Sequence, residues 1–227
     1  MKPLSRLLAC AAPLLVIATP AVAQYRSMHP YQWYWGVQVG LVGYKTNTQP
    51  LYFDPEAGAH WLITGQRTAL YMGFEQAHFL TAATATVVDP NSQTGLRDVS
   101  FVDVRRLLAG VLAFPKPGHI EPYFGGGFAI VQVLNPLVDC SGTTPNSQCS
   151  TIADQTAAQD QASNAASKAF FWLMAGFQIN IGKLGVFGQY MATSSAHEFL
   201  IDGPTHNLQG GIRYSFGTAK EGITERH

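Results

Sequence analysis

The stretch Leu208-Gln209-Gly210-Gly211-Ile212-Arg213-Tyr214-Ser215-Phe216 alternates without a break. Leu208, Gly210, Ile212, Tyr214 and Phe216 form one set, and Gln209, Gly211, Arg213 and Ser215 the other. Successive side chains of a strand point to opposite faces, so this is a strand with one apolar face and one small or polar face. The same period of two recurs upstream. Trp35, Val37, Val39 and Leu41 alternate with Gly36, Gln38, Gly40 and Val42. Leu70, Met72 and Phe74 alternate with Tyr71, Gly73 and Glu75. Leu173, Ala175, Phe177 and Ile179 alternate with Met174, Gly176, Gln178 and Asn180.

The polar faces are unusual. They are rich in Gly and Gln and carry a few charges of both signs, which suits the inside of a narrow barrel whose apolar face meets lipid. Turn signals divide the chain into eight strands, at roughly 33–45, 57–64, 68–79, 99–114, 122–133, 169–181, 184–194 and 205–216. The connections alternate in length. Long ones cover 46–56, 80–98, 134–168 and 195–204, and short ones lie near Gly65, between Pro115 and Glu121, and at Gly182-Lys183. Long outer loops with short inner turns are the pattern of an outer-membrane barrel. The expected fold is all-β: an eight-stranded antiparallel up-and-down transmembrane β-barrel over 24–216.

Composition agrees. Of 227 residues only 12% are charged, about half the usual share, while 47% are apolar, 11% aromatic and 22 are glycine. This excludes a disordered chain. A formal net charge of zero leaves no basic excess for nucleic acid. After the N-terminal segment no run of 18 uncharged apolar residues occurs, so no transmembrane helix is predicted.

Residues 1–23 read as a secretory signal peptide. Lys2 and Arg6 precede an apolar stretch, and Ala21-Val22-Ala23 is a cleavage site. A lipoprotein signal ending at Cys10 is the alternative, but the apolar stretch before Cys10 is short. Cleavage near Ala23 leaves a slightly acidic chain whose two cysteines, Cys140 and Cys149, read as a disulfide in an exported protein. They bracket a turn-forming segment in the longest loop. Downstream, Thr151 and Asp154 are placed to cap a short helix, with an unstructured alanine-rich segment as the alternative.

Two segments carry a resemblance. Gln209, Gly211, Tyr214 and Phe216 fit the C-terminal assembly signal of bacterial outer-membrane proteins: polar, gap, Gly, two gaps, aromatic, gap, aromatic. Pro122-Tyr123-Phe124-Gly125-Gly126-Gly127 resembles a strand opening frequent in small barrels of that group. The chain thus resembles the OmpA/OmpX-type transmembrane barrels over nearly all of 31–216. The resemblance implies residence in the outer membrane of a Gram-negative-type bacterium, in contact with its lipid. It also implies insertion by the outer-membrane assembly machinery and a structural or surface-interaction role. The loops would meet any extracellular ligand. Residues 217–227 depart from the pattern as a short polar periplasmic tail.

The interior polar network is expected from Gln38, Glu75, Asp103, Arg105, Gln178, Gln189 and Arg213. Strand 99–114 is ambiguous, because Arg105-Arg106 puts one arginine on each face. Either a bulge shifts the register there or Arg106 snorkels to an interface. No catalytic, cofactor or metal residue is assigned. The seven histidines lack ligand spacing, and Gly125-Gly126-Gly127 lacks the Lys and helix of a phosphate loop. Three alternatives stand beside the structural role. One is a lipid hydrolase built on Ser194, Ser195, His197, Glu198, Asp202 and His206. The others are a narrow channel and a soluble periplasmic barrel of lipocalin type.

Overall fold

A computed structural model describes residues 31–219 apart from Gln66, Pro117 and His197. Residues 1–30, which include the segment read as a signal peptide, and residues 220–227 of the tail lie outside the described residues. Strands β1 (Tyr31–Tyr44), β2 (Tyr52–Thr64), β3 (Thr68–Val88), β4 (Leu96–Ala113) and β5 (Ile120–Leu134) come first. The two-residue β6 (Leu137–Val138), the helix α1 (Ile152–Asn164), β7 (Ser167–Ile181), β8 (Leu184–Thr193) and β9 (His206–Ala219) follow. The sheet runs β3-β2-β1-β9-β8-β7-β5-β4, all neighbours antiparallel, and β3 pairs with β4 to close it. The fold is an eight-stranded antiparallel barrel, with β6 laid against β4 outside the ring.

A closed sheet leaves no unpaired edge, which is the condition for strands to cross lipid. The strands are tilted. Paired residues trace a path from Phe177 through Gly188, Gly210, Val39, Ala57, Gln76, Arg105 and Gln132 to Ser167. The path leaves β7 at Phe177 and returns to it at Ser167. For eight strands that stagger corresponds to a tilt of about 40°, so height rises by about 2.5 Å per residue along a strand.

The burial pattern is inverted relative to a soluble barrel. On β1, Trp35, Val37, Val39 and Leu41 are exposed while Gln38 is buried. On β9, Leu208, Ile212, Tyr214 and Phe216 are exposed while Asn207, Gln209 and Arg213 are buried. An apolar belt therefore encircles the barrel. It runs from the level of Ile120, Ile181 and Phe216 to the level of Leu41, Pro55 and Ile130, about 25 Å, the height of a lipid-facing band. Near its short-turn end Trp35 stacks on Trp61, with centroids 6.0 Å apart, and on Phe216 at 6.5 Å. Such rings favour the headgroup level because one end is apolar and the other polar.

Glycines make room for the largest interior side chain. Trp172 is fully buried, and a Cβ on Gly110 would sit 2.4 Å from its ring. A Cβ on Gly127 would lie 2.1 Å from the Ala109 carbonyl oxygen.

Three features differ from the sequence reading. The segment 80–98 is mostly strand. β3 and β4 continue as a ribbon beyond the belt, joined by a turn at 89–95, because the Ala, Thr and Val residues there pair as well as those below. Second, β9 extends to Ala219, three residues past Phe216. Third, a bulge decides the register of β4. His78 pairs with Asp103 but Ala83 pairs with Phe101, so Phe79–Ala82 bulge against Val102. On β4 the inward side switches between Phe101 and Val104, both buried. Below the switch Arg106 points in, whereas Arg105 and Asp103 stand on the outer face. That corrects the expected interior network at those two positions.

Candidate functional site: a filled interior beneath an extra-barrel crown

Gln38, Glu75, Gln178, Gln189 and Arg213 meet inside the barrel. Arg213, near the short-turn end of β9, is nearly fully buried. Its Nε donates to His60 Nε2 at 2.8 Å and its Nη1 to Gln178 Oε1 at 2.8 Å. The guanidinium lies 4.0 Å over the Phe187 ring and 5.0 Å over Tyr123. Gln178 in turn donates to Glu121 Oε2 at 2.7 Å. On the other side His60 Nδ1 contacts Gln38 Oε1, and Gln38 Nε2 donates to Glu75 Oε1 at 2.7 Å.

Higher in the barrel Arg106 Nη2 contacts both Glu56 and Glu75, the latter at 2.9 Å. Gln209 Nε2 bridges the same two carboxylates at 2.9 and 2.7 Å, and Asn207 Nδ2 donates to Glu56. Arg106 is thus matched by two carboxylates, while Arg213 is held by neutral acceptors and rings, and buried Asp54 accepts from Tyr44 Oη at 2.9 Å. A buried charge without such partners would cost several kcal/mol.

Glu56, His60, Arg106 and Asn207 belong to this network and were missed from sequence. For β2 a signal was present. Asp54, Glu56, His60 and Leu62 share one parity, visible once the strand is begun at Tyr52 rather than at 57. The four assembly-signal positions divide by face. Gln209 is buried inside, and a Cβ on Gly211 would lie 2.1 Å from the Val37 carbonyl, whereas Tyr214 and Phe216 face outward.

Apolar side chains complete the filling. Trp172, Tyr71, Leu62 and Leu112 are fully buried across the section, and above the ion pairs Tyr44 stacks on Phe79 with centroids 4.0 Å apart. The void between Phe79, Arg106 and Ile201 is about 10 Å³, the size of one water at most.

The long-loop end carries a crown. Arg97 and Asp89 form a buried ion pair, Nη2 to Oδ2 2.9 Å, within the β3–β4 ribbon, and Arg97 Nη1 also contacts the Gln148 carbonyl. That ties the ribbon to the loop closed by the Cys140–Cys149 disulfide. α1 begins with Thr151 Oγ1 accepting from the Asp154 backbone N–H at 3.1 Å. Between ribbon, helix and the β8–β9 loop lies an open recess of about 610 Å³, whose lining includes Asn47, Thr86, Gln161, Lys168, Glu198 and Phe199.

Three of the Ser/His/acid residues of the fourth long loop are engaged by separate partners. Ser194 Oγ accepts from the Phe171 backbone N–H, His206 Nδ1 lies 2.6 Å from Tyr190 Oη, and Asp202 pairs with Lys45. His197 lies outside the described residues. Among the described residues no cluster of three His, Cys, Asp or Glu is placed to hold a metal.

In sequence no protein family and no curated protein matches the chain. Among solved structures it is similar to the N-terminal β-barrel domain of Pseudomonas aeruginosa OprF. That pair shares 8% identity, covers 80% of this chain and 97% of that one, and has a TM-score of 0.40. It is also similar to a major outer membrane protein from Thermus thermophilus, at 11% identity over 82% of this chain and 99% of that one, with a TM-score of 0.41.

Proposed function

We propose that this protein is an integral outer-membrane barrel with a structural or surface-interaction role, its crown turned outward and its short turns in the periplasm. The observation that carries the reading is the apolar outer belt around a polar, filled interior. Soluble monomers rarely expose apolar patches beyond a few hundred Å². In lipid the same belt is the favourable surface, and Gln38, Glu56, Glu75, Arg106, Gln209 and Arg213 are held by polar partners inside.

The filled section favours a scaffold over a channel. The crown then supplies the contact surface, and the recess beside α1 is where an extracellular ligand would seat. Export through the signal peptide, cleavage near Ala23 and insertion through Gln209, Gly211, Tyr214 and Phe216 complete the proposal. The test is gel mobility of the membrane fraction with and without boiling. A heat-dependent shift, with extraction requiring detergent, is the expected result. Release into the aqueous phase without detergent would favour a soluble barrel and sink this reading.

A further inference from the structure

We infer that the outer wall of β3, β4 and β5 carries a binding site for the phosphate of an outer-leaflet lipid, centred on Arg105. Outward positions on these strands are apolar up to Phe74, Leu107 and Ile130. One register step higher they become polar together: Gln76 pairs with Arg105, and Arg105 with Gln132. By the tilt and rise given above, this row lies at the upper rim of the belt, where acyl chains give way to headgroups.

Arg105 is held there without an anion. Its guanidinium lies 5.5 Å from the Phe74 centroid, and its Nε is shielded from solvent with no acceptor. Among the described residues no carboxylate lies within 4.0 Å of it, whereas Lys45 and Arg97 each have one and Arg106 has two. Asp103, two positions away on the same strand, is engaged by His78 at 2.8 Å. A guanidinium fixed over a ring at the lipid rim, flanked by two carboxamides, matches a phosphate oxygen pair. The lipid's chains would descend over Phe74, Leu107 and Ile130.

The inference rests on the membrane-spanning reading. The test uses the purified full chain released from detergent micelles doped with phosphatidylglycerol or with uncharged diacylglycerol, with retained lipid counted by native mass spectrometry. Wild type is expected to retain phosphatidylglycerol in preference to diacylglycerol. Arg105→Gln should weaken that retention about tenfold, the loss of one charge-assisted contact. Lys45→Gln, a rim cation paired elsewhere, should leave it unchanged. Arg105→Lys keeps the charge without the fork and should fall between; it decides the matter if Arg105→Gln does not fold. Equal retention by wild type and either Arg105 variant overturns the proposal. So does displacement of the lipid by inorganic phosphate at matched concentration, which would indicate a free-anion site. A protein that shifts on boiling yet shows no preference fails this inference alone, whereas one without the shift fails the membrane reading.

Discussion

Arg105 and Arg106 are adjacent in the chain and stand on opposite faces of the barrel wall. Arg106 lies inside between Glu56 and Glu75, and Arg105 lies outside over the Phe74 ring. The two should respond very differently to loss of charge. Arg106→Met leaves two carboxylates facing each other without a cation, and breaking a buried pair in this way costs about 3–5 kcal/mol. Arg105→Met should change stability by about 1 kcal/mol or less, because it breaks no buried ion pair. Urea unfolding in lipid vesicles measures both. Equal losses would mean that the β4 register is the reverse of the one described.

Two outward valines separate lipid from water. Val37 is 56% exposed in the middle of the belt, and Val88 is 69% exposed in the ribbon above it. Val37→Arg should destabilise the vesicle-inserted barrel by about 2–4 kcal/mol, and Val88→Arg by about 0–1. If both are tolerated alike, the belt does not face lipid.

Close approach at Gly127 gives a sharper effect. A Cβ there meets the Ala109 carbonyl and the Gly110 Cα at 2.1 and 2.5 Å, both backbone atoms of β4. Gly127→Val should abolish the boiling-dependent gel shift because strands β4 and β5 cannot pair. Gly118→Ala, whose nearest neighbour is 3.9 Å away in a turn, should retain it. A normal shift for Gly127→Val would refute the β4–β5 spacing.

The crown should come apart without the barrel. Replacing Cys140 and Cys149 by Ser removes a constraint that, for so short a loop, amounts to about 2–3 kcal/mol of unfolded-state entropy. Limited proteolysis should then cut between Asp139 and Ser150 much faster, while the gel shift persists. Loss of the shift would instead make the disulfide part of barrel assembly.

Arg97 offers a second probe of the same region. Arg97→Ala leaves Asp89 buried without its partner and releases the Gln148 carbonyl. The expected result is faster proteolysis in both the 89–95 turn and the disulfide loop. Protection at one site with cleavage at the other would show that the two are not coupled through this side chain.

Period two was legible along most of the chain because each wall residue sees only lipid or interior, and the alternation at Trp35–Val42 or Leu208–Phe216 records that directly. Strand ends were less legible. β2 begins at Tyr52 and β3 continues to Val88, since beyond the belt outward side chains such as Thr84 and Thr86 need not be apolar and the alternation weakens. Gln38, Glu75 and Arg213 could be placed inside from alternation alone. Glu56 was hidden by a strand end set too late.

Eight alternating segments, their turn rhythm and an inverted polarity carry the architecture in the chain alone. Local parity is written residue by residue, so it survives without any tertiary contact. Which arginine of the Arg105-Arg106 pair enters the barrel was decided only by the fold. The bulge at Phe79–Ala82 flips the parity of β4, and the carboxylates that make burial of Arg106 tolerable come from β2 and β3, about 50 and 30 positions away in the chain.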